Sequence, residues 1–373
     1  MNIRAVPQLL AFAFVMSSAI SFAFVNLAIL VSLKYERFDI PNSRSLHLRP
    51  VPRLGGLGIL AGFVLSIVTV HAVHAAAFGN ASSSPSIFVL AMATALILGT
   101  LGLYDDLHTL RPIQKFSIQL LFALIIASYI VRSREYNAGG HSAWLLAIII
   151  AFLVLWLVAF TNFYNFMDGI NGMAGGSGVI YGCFLSYLAW EQAQLPIAMI
   201  ATIAAGTSLG FLFRNFPLAQ VFMGDSGSLF LGMLFALLAV LLYVRIRSAG
   251  IVIGVAMLYA VFLYDCTITL IRRLKNSEKI FRAHHSHIYQ RLVKRGWSHV
   301  HVTSLYMALQ IWDGIAGVIY FRGHALGRGI AVVMVVASLV ALTLLVQHVE
   351  KDQPILPTAT GSWLDSRTIG GRA

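Results

Sequence analysis

Long apolar runs, each close to the length that crosses a lipid bilayer, recur through almost the whole chain. A hydrocarbon core roughly 30 Å thick takes about 20 residues of α-helix. Eleven such runs can be marked: 8–33, 55–78, 86–103, 113–131, 142–161, 172–190, 193–212, 226–243, 250–271, 303–321 and 327–346. The sequence therefore predicts an all-α polytopic membrane protein with about eleven transmembrane helices.

The composition excludes the main classes of soluble protein. Hydrophobic residues make up 58% of the chain and charged residues only 11%, whereas soluble domains carry about 25% charged residues. The formal charge of +12 does not indicate a nucleic-acid partner, because the basic residues lie between apolar runs rather than on a soluble face. Cys183 and Cys266 fall inside apolar runs, which excludes a disulfide framework and a cysteine-ligated metal site.

The distribution of Lys and Arg predicts the orientation. Nineteen of them lie in one set of alternate loops and the tail, and seven lie in the other set. The positive-inside rule places the first set in the cytoplasm and the N-terminus outside. We therefore expect one membrane domain over 1–346, a cytoplasmic tail over 347–373, and these cytoplasmic loops: 34–54, 104–115, 162–171, 213–225 and 272–302. The first run is expected to remain in the mature protein, because no small-residue cleavage pattern follows it.

Five of the fourteen acidic residues lie at the predicted cytoplasmic ends of helices. They are Asp105, Asp106, Asp168, Asp225 and Asp265. A carboxylate near lipid costs several kcal/mol unless it forms an ion pair, faces a wet cavity or holds a cation. A single Asp could be a solvated helix end, but five on one side predict a shared site.

Three sequence segments could supply the rest of that site. Lys115 could neutralise the Asp105–Asp106 pair or simply reach the membrane interface. In 162–172, Asn162, Asn165 and Asp168 are spaced for one helical face and suit Mg²⁺, although a polar turn also explains Asn, Asp and Gly there. In 222–228, an Asp surrounded by Gly and Ser predicts either an ordinary N-cap or a phosphate seat at a helix N-terminus.

The basic loop 272–302 contains more than a topological anchor requires. His284-His285-Ser286-His287 is followed by Arg291, and both residue types can contact anions. Zinc is disfavoured because His285 and His287 are two apart and no third soft ligand is nearby. Acids, Asn and basic residues together predict a Mg²⁺-dependent site for a phosphorylated cytoplasmic substrate, with a lipid as the second partner.

These segments resemble the polyprenyl-phosphate N-acetylhexosamine-1-phosphate transferases, a group within glycosyltransferase family 4. The resemblance rests on 39–47, 52–56, Asp105-Asp106, 162–172 and 222–228, which occur in order between predicted helices. It extends from about Asp39 to Leu292. It implies that a polyprenyl phosphate attacks the β-phosphate of a UDP-sugar, releases UMP and becomes a lipid-linked sugar diphosphate.

The resemblance also implies roles for individual residues. Asp225 and Asn165 correspond to the ligands of Mg²⁺, for which Mn²⁺ is expected to substitute. The residues implied in catalysis are Asp105, Asp106, Asp168, Lys115, His287 and Arg291. The residues implied in substrate binding are Asn171, Phe222, Arg53, His284, Tyr289 and Gln290, with Asn171 and Phe222 around the uracil.

The basic loop departs from the pattern of initiating enzymes that use GlcNAc. Tyr289 and Gln290 stand where those enzymes have paired histidines, and the three consecutive histidines of the peptidoglycan enzyme are also missing. This pattern favours a 6-deoxy N-acetylhexosamine such as FucNAc or QuiNAc, with UDP-GlcNAc as the alternative donor. The implied setting is the first membrane step of O-antigen or other surface polysaccharide synthesis, with undecaprenyl phosphate as acceptor, in a bacterial inner membrane; homodimerisation is left open.

A secondary transporter is the alternative from a different class, since intramembrane carboxylates often mark ion paths. A transporter should place acids near the bilayer midplane and show two related halves. Only Asp313 lies mid-span, and eleven runs do not divide equally. A metalloprotease would need two His four apart on a helix with a Glu, and the sequence lacks that motif.

Overall fold

A computed structural model describes residues 6–41, 49–78, 85–133, 142–278 and 286–352, with the side chains of 71, 73–78, 85 and 352 excepted. Thirteen helices and one two-stranded antiparallel hairpin make up these ranges. In chain order the elements are α1 Val6–Lys34, β1 Phe38–Asp39, β2 Val51–Pro52, α2 Gly55–Phe78, α3 Pro85–His108, α4 Pro112–Arg132, α5 Ala143–Phe166, α6 Met173–Glu191, α7 Leu195–Asn215, α8 Gly224–Ile246, α9 Ala249–Leu258, α10 Ala260–Lys275, α11 Ile288–Lys294, α12 His299–Arg322 and α13 Ala325–Asp352.

The predicted all-α polytopic class is confirmed by these helices. Eight of the described helices are long and apolar enough to cross a membrane, and α9 with α10 makes a ninth if the pair counts as one span. The other two predicted runs form α2, whose described apolar part ends at Val70, and α6, which four glycines and two serines make less apolar. The count of eleven and the orientation therefore stay predictions.

The run at 250–271 is not one straight helix. It bends by 71° between α9 and α10. Tyr259 lies at the bend, and it is fully buried, with its hydroxyl donating to the Phe235 carbonyl at 3.0 Å and its ring 4.3 Å from that of Phe160. These contacts hold the break in place, and α10 carries Asp265 towards α12.

Helix α8 lies at the centre of the bundle and is buried along nearly its whole length. It packs against α3 and α5, while α1 packs against α7 and α2. Small residues allow these close approaches, as is common between membrane helices. A Cβ atom at Gly206, for example, would lie 2.0 Å from the Ser17 hydroxyl.

The N-terminus of α8 is held by the segment that follows β2. Phe222 donates its backbone N–H to the Pro52 carbonyl at 2.8 Å, and Gly55 donates back to the Phe222 carbonyl at 2.9 Å. A Cβ at Gly56 would lie 2.3 Å from the Gly227 nitrogen, and one at Gly102 would lie 2.2 Å from the Asp225 carbonyl oxygen. Helices α2 and α3 can therefore come close enough to α8 to bring Arg53 and the Asp105–Asp106 pair beside Asp225.

Candidate active site

Four membrane helices bring polar residues together at one end of the bundle. Asp105 and Asp106 lie in the last turn of α3, Lys115 in the first turn of α4, Asn165 in the last turn of α5, and Asp225 in the first turn of α8. We call these five residues, with Asp168 and Arg53, the acidic cluster. The residues of α3 and α5 lie at the C-terminal ends of their helices, and those of α4 and α8 lie at the N-terminal ends. Because these helices run in alternating directions, all of these ends lie on the same side of the bundle.

Lys115 joins two acids of the acidic cluster. Its ammonium lies 2.9 Å from Oδ2 of Asp105 and 2.7 Å from Oδ2 of Asp225. Asp105 also accepts the backbone N–H of Leu110 through Oδ1 at 2.6 Å. One cation thus serves two carboxylates, and Lys115 does not simply extend to the membrane interface.

Asp106 fixes the start of α8. Its two oxygens accept the backbone N–H groups of Asp225 and Ser226 at 2.9 and 3.0 Å. The Arg53 guanidinium lies 3.3 Å from Oδ1 of Asp106. The N-cap position belongs to Met223, so the interpretation of Asp225 as the capping residue is wrong. A carboxylate from α3 bonds the free N–H groups instead, and Asp225 is left with its side chain in the acidic cluster.

Asn165 binds Asp225 from the opposite side to Lys115. Its amide Nδ2 donates to Oδ1 of Asp225 at 3.1 Å and to the Ser228 hydroxyl at 2.8 Å. Asn162 instead donates to Gln119 at 2.7 Å. Both oxygens of Asp225 are therefore held, each by a different helix.

Asp168 lies beyond the end of α5, which stops at Phe166, so it does not continue the helical face of Asn162 and Asn165 as the spacing predicts. It is half-buried. Burial, followed by the charges of Asp225 and Asp106, raises the pKa of Asp168 well above its usual range. Its carboxylate accepts no hydrogen bond from any residue that the structure describes.

The acidic cluster carries more negative than positive charge. With all carboxyl groups ionised, Asp105, Asp106, Asp168 and Asp225 are four negative charges, and among the described residues their ion-pair partners are Lys115 and Arg53. Within the described ranges, no three His, Cys, Asp or Glu side chains form a metal site by themselves. Magnesium, however, commonly takes one or two protein carboxylates and completes its shell with water and substrate phosphate oxygens. The excess charge and the oxygens of Asp225 and Asn165 fit that kind of site.

The residues predicted around the uracil lie in neighbouring loops. Asn171 donates its amide to the Pro217 carbonyl at 3.2 Å and accepts the Thr303 hydroxyl at its own carbonyl at 2.7 Å. Phe222 is half-buried in the segment before α8. Their contact with a base stays a prediction.

The basic loop forms a second polar centre around Asp265. His287 and Gln290 are almost completely buried, and Tyr289 is completely buried. Tyr289 donates its hydroxyl to the Phe166 carbonyl at 2.9 Å, and Gln290 accepts the His287 N–H at 3.2 Å. The polar groups of Tyr289 and Gln290 are thus bonded inside the protein, which gives no support to direct sugar contact by either.

Arg291 is engaged elsewhere. Its guanidinium forms a bidentate ion pair with the Glu350 carboxylate near the end of α13, with Nε 2.7 Å from Oε1. Arg295 adds a bond to the Glu350 carbonyl at 2.8 Å. The predicted diphosphate contact of Arg291 would require this pair to open, and His284 lies outside the described residues.

Sequence reasoning did not assign two residues with clear structural roles. Asp265 is one of the five acids on the predicted cytoplasmic side, and its place in an otherwise apolar run that leads into the basic loop was the available signal. No sequence pattern indicates a role for Glu350, because its partner Arg291 lies 59 residues away in the chain. Such a pair becomes visible only when α11 and α13 are packed together.

The fold and the acidic cluster define a multi-pass membrane protein with a polar, charge-dense site at the ends of its helices. The family model described as "Glycosyl transferase family 4" matches residues 87–243. That range includes every acid of the acidic cluster.

Curated relatives extend the similarity over most of the chain. A Bacillus subtilis (strain 168) protein named "Probable undecaprenyl-phosphate N-acetylglucosaminyl 1-phosphate transferase" is 32% identical over 283 residues, covering 72% of this chain and 73% of the relative. A decaprenyl-phosphate N-acetylglucosaminephosphotransferase of Mycobacterium tuberculosis (strain ATCC 25618 / H37Rv) is 29% identical, covering 81% of each chain. A phospho-N-acetylmuramoyl-pentapeptide-transferase of Mycobacterium sp. (strain KMS) is 28% identical, covering 74% of this chain and 85% of the relative. The chain belongs to glycosyl transferase family 4, and the resemblance seen in its motifs is confirmed.

Proposed function

We propose that the protein transfers an N-acetylhexosamine 1-phosphate from a UDP-sugar to a polyprenyl phosphate, expected to be undecaprenyl phosphate. The single observation that carries the proposal is the Lys115 bridge between Asp105 and Asp225 at the converging helix ends. A site of this kind suits a membrane-bound phosphate acceptor and a water-soluble diphosphate donor. The names of the family relatives support the same reaction class.

The reaction exchanges one phosphoanhydride for another. An oxygen of the lipid phosphate forms a bond to the β-phosphorus, the bond from that phosphorus to the bridging oxygen breaks, and UMP leaves with that oxygen. A phosphomonoester has a second pKa of about 6, so it is already largely ionised at neutral pH. In the structure the oxygens of Asp105 and Asp106 already accept hydrogen bonds. Both observations favour positioning over proton removal as the task of these two acids.

Asp225 and Asn165 are the residues that would hold Mg²⁺, and Mn²⁺ is expected to substitute. The metal would supply charge neutralisation for the diphosphate in the transition state. Lys115 and Asn165 hold the Asp225 carboxylate from two sides, and Asp106 fixes the helix that carries it. Asp168, with no hydrogen-bonding partner among the described residues, is the acid best available to a cation or its bound water.

Two observations bear on the identity of the donor sugar, and they favour different sugars. The Tyr289–Gln290 departure in the basic loop favours a 6-deoxy sugar, whereas the names of two relatives favour N-acetylglucosamine. Because both side chains are bonded within the protein, any effect on sugar choice would act through the shape of the loop.

Cellular placement follows from the charge distribution. The acidic cluster is proposed to face the cytoplasm of a bacterial inner membrane, where UDP-sugars are made and most loop Lys and Arg residues are expected. Product would enter O-antigen or another surface polysaccharide. A transporter is not favoured, since the mid-span Asp313 is buried against Ser338 between α12 and α13 and does not belong to the acidic cluster.

The test is a donor panel with purified protein and undecaprenyl phosphate. UDP-GlcNAc, UDP-QuiNAc, UDP-FucNAc and UDP-glucose are compared by kcat/KM, with and without EDTA. We expect lipid product only from the N-acetylated sugars and only with a divalent cation. Lipid product from UDP-glucose alone, or from none of the four, would contradict the proposed function.

A further inference from the structure

Asp265 is a fully buried carboxylate with five hydrogen-bond donors around it. Oδ1 faces Nδ1 of His287 at 3.1 Å, the Ile288 N–H at 2.9 Å and the Thr269 hydroxyl at 3.3 Å. Oδ2 accepts from the Tyr289 N–H at 3.2 Å and the Tyr306 hydroxyl at 2.6 Å. Each of these bonds offsets part of the free-energy cost of burying the carboxylate.

Most of these bonds hold one short stretch of chain. His287, Ile288 and Tyr289 form the entry to α11, so the backbone there is tied to α10, while Tyr306 ties the same carboxylate to α12. A carboxylate beside Nδ1 selects the imidazole form that carries a proton on Nδ1. The other ring nitrogen, Nε2, is then the one presented away from Asp265.

The entry to α11 also contacts the loop that carries Asp168. The Tyr289 hydroxyl donates to the Phe166 carbonyl, where α5 ends. A Cβ atom at Gly169 would lie 2.0 Å from the same hydroxyl oxygen, so only glycine leaves room for this contact. The rings of His287 and Phe166 are 6.0 Å apart. One carboxylate therefore governs both His287 and the backbone on either side of Asp168.

We propose that Asp265 is a positioning residue that sets the tautomer and orientation of His287 and, through Tyr289, the position of the Asp168 loop. This inference rests on the proposed function for its effect on turnover, but its structural part does not. Asp265 is not proposed to touch substrate or metal. It acts by holding His287, which the family resemblance implies in catalysis, and the loop of Asp168, which is proposed to serve the cation or its bound water.

The decisive change is Asp265→Asn, which keeps the size of the side chain and removes the second acceptor oxygen. The new NH₂ group must take the place either of Oδ1, which faces three donors, or of Oδ2, which faces two. If it faces His287, Nδ1 has to accept, so the proton moves to Nε2. The matched control is Asp313→Asn, since Asp313 is equally buried but bonds Ser338 between α12 and α13.

Two readouts are taken from full-length protein in detergent. Ring nitrogen shifts of ¹⁵N-histidine report the tautomer, and a His287→Gln sample assigns the signal among the twelve histidines. Steady-state kinetics gives kcat and KM for the UDP-sugar. We expect Nδ1–H at His287 in the wild type and the control, and Nε2–H in Asp265→Asn when the new NH₂ group faces His287. We also expect a kcat lower by roughly 10- to 100-fold, the range found for hydrogen-bonding partners of metal-bound histidines.

The outcomes separate this inference from the proposed function. A wild-type His287 with a bare Nδ1 overturns the inference without any variant, and so does an Asp265→Asn protein with unchanged nitrogen shifts and unchanged kcat. If Asp265→Asn does not fold, the wild-type spectrum still decides the tautomer, and Tyr289→Phe decides the link to the Asp168 loop by its kcat. If the wild type transfers no sugar phosphate at all, the proposed function fails while the nitrogen spectrum still decides the Asp265–His287 pairing.

Discussion

The Lys115 ammonium lies 2.7 Å from Oδ2 of Asp225, although the two residues are 110 positions apart in the chain. The same ammonium binds Asp105 at 2.9 Å. This bridge joins the start of α4, the end of α3 and the start of α8. It makes the acidic cluster one electrostatic unit, so that a change at one residue alters the charge balance at the others.

Replacing Lys115 with Met should therefore cost far more than replacing an ordinary surface lysine. Met keeps the length of the side chain but leaves Asp105 and Asp225 without their shared cation. Loss of one partner of a buried ion pair costs about 3 kcal/mol or more in folding free energy. Because the uncompensated charge also disturbs the site, we expect kcat/KM to fall on the order of a hundredfold, which is about 2.7 kcal/mol of transition-state stabilisation. The control is Lys275→Met, at an exposed lysine that ends α10. Equal activity of both variants would contradict the role given to the bridge.

Asp225→Asn should nearly abolish turnover while the protein stays folded. The substitution removes the charge that is proposed to hold Mg²⁺, and the expected loss is on the order of a thousandfold in kcat. Thermal melting in detergent checks the fold. EDTA should remove wild-type activity and added Mg²⁺ should restore it; full activity in EDTA would refute the metal assignment.

Asp168→Asn should raise stability and lower activity. Because burial and neighbouring acids raise the pKa of Asp168 above its ordinary value of 3.8, the ionised form is disfavoured in the folded protein. The wild type therefore loses stability as the pH rises from about 4 towards the raised pKa, and the Asn variant does not share that loss. Melting temperatures of both proteins between pH 4 and pH 8, measured without added metal, test this.

An Asp168→Asn protein that melts below the wild type at every pH would contradict the expectation. It would mean that the Asp168 carboxylate has a stabilising partner in the folded protein. Activity should fall in either case, since the residue is proposed to serve the metal or its bound water.

The predicted orientation can be measured with single cysteines on a background lacking Cys183 and Cys266. Asn276 follows α10 and Ser142 precedes α5, and both are exposed in the structure. The excess of Lys and Arg in one set of loops predicts that position 276 faces the cytoplasm and position 142 faces outward. An impermeant maleimide should label only position 142 in intact cells. Labelling of 276 but not 142 would invert the topology.

The sequence was sufficient for the fold class because apolar length alone identifies membrane helices. It also indicated that the acids of α3 and α8 share one side, since alternate loops face the same way. It could not show that Asp106 rather than Asp225 bonds the N-terminal N–H groups of α8, because that contact joins residues 119 and 120 positions apart. Long-range pairing of this kind depends on how the helices pack.

Predictions from residue spacing were wrong where the backbone departs from regular helical geometry. Asp168 is spaced for the face of Asn165, but α5 ends before it, and the run at 250–271 bends at Tyr259 under contacts with α5 and α8. Tyr289 and Gln290 stood out as a departure in a motif, yet their burial follows from Asp265 and Gly169, which pattern alone does not connect to them.

The proposed transfer reaction is tested most directly by following the β-phosphate of the donor. Purified protein is given undecaprenyl phosphate and UDP-GlcNAc labelled with ³²P at the β-phosphate and ¹⁴C in the uridine, with the other N-acetylated donors tested in the same way. We expect ³²P to enter the lipid fraction while ¹⁴C is released as UMP, in equal molar amounts. Release of ¹⁴C as UDP that retains the ³²P, or no transfer of ³²P to lipid from any of these donors, would contradict it.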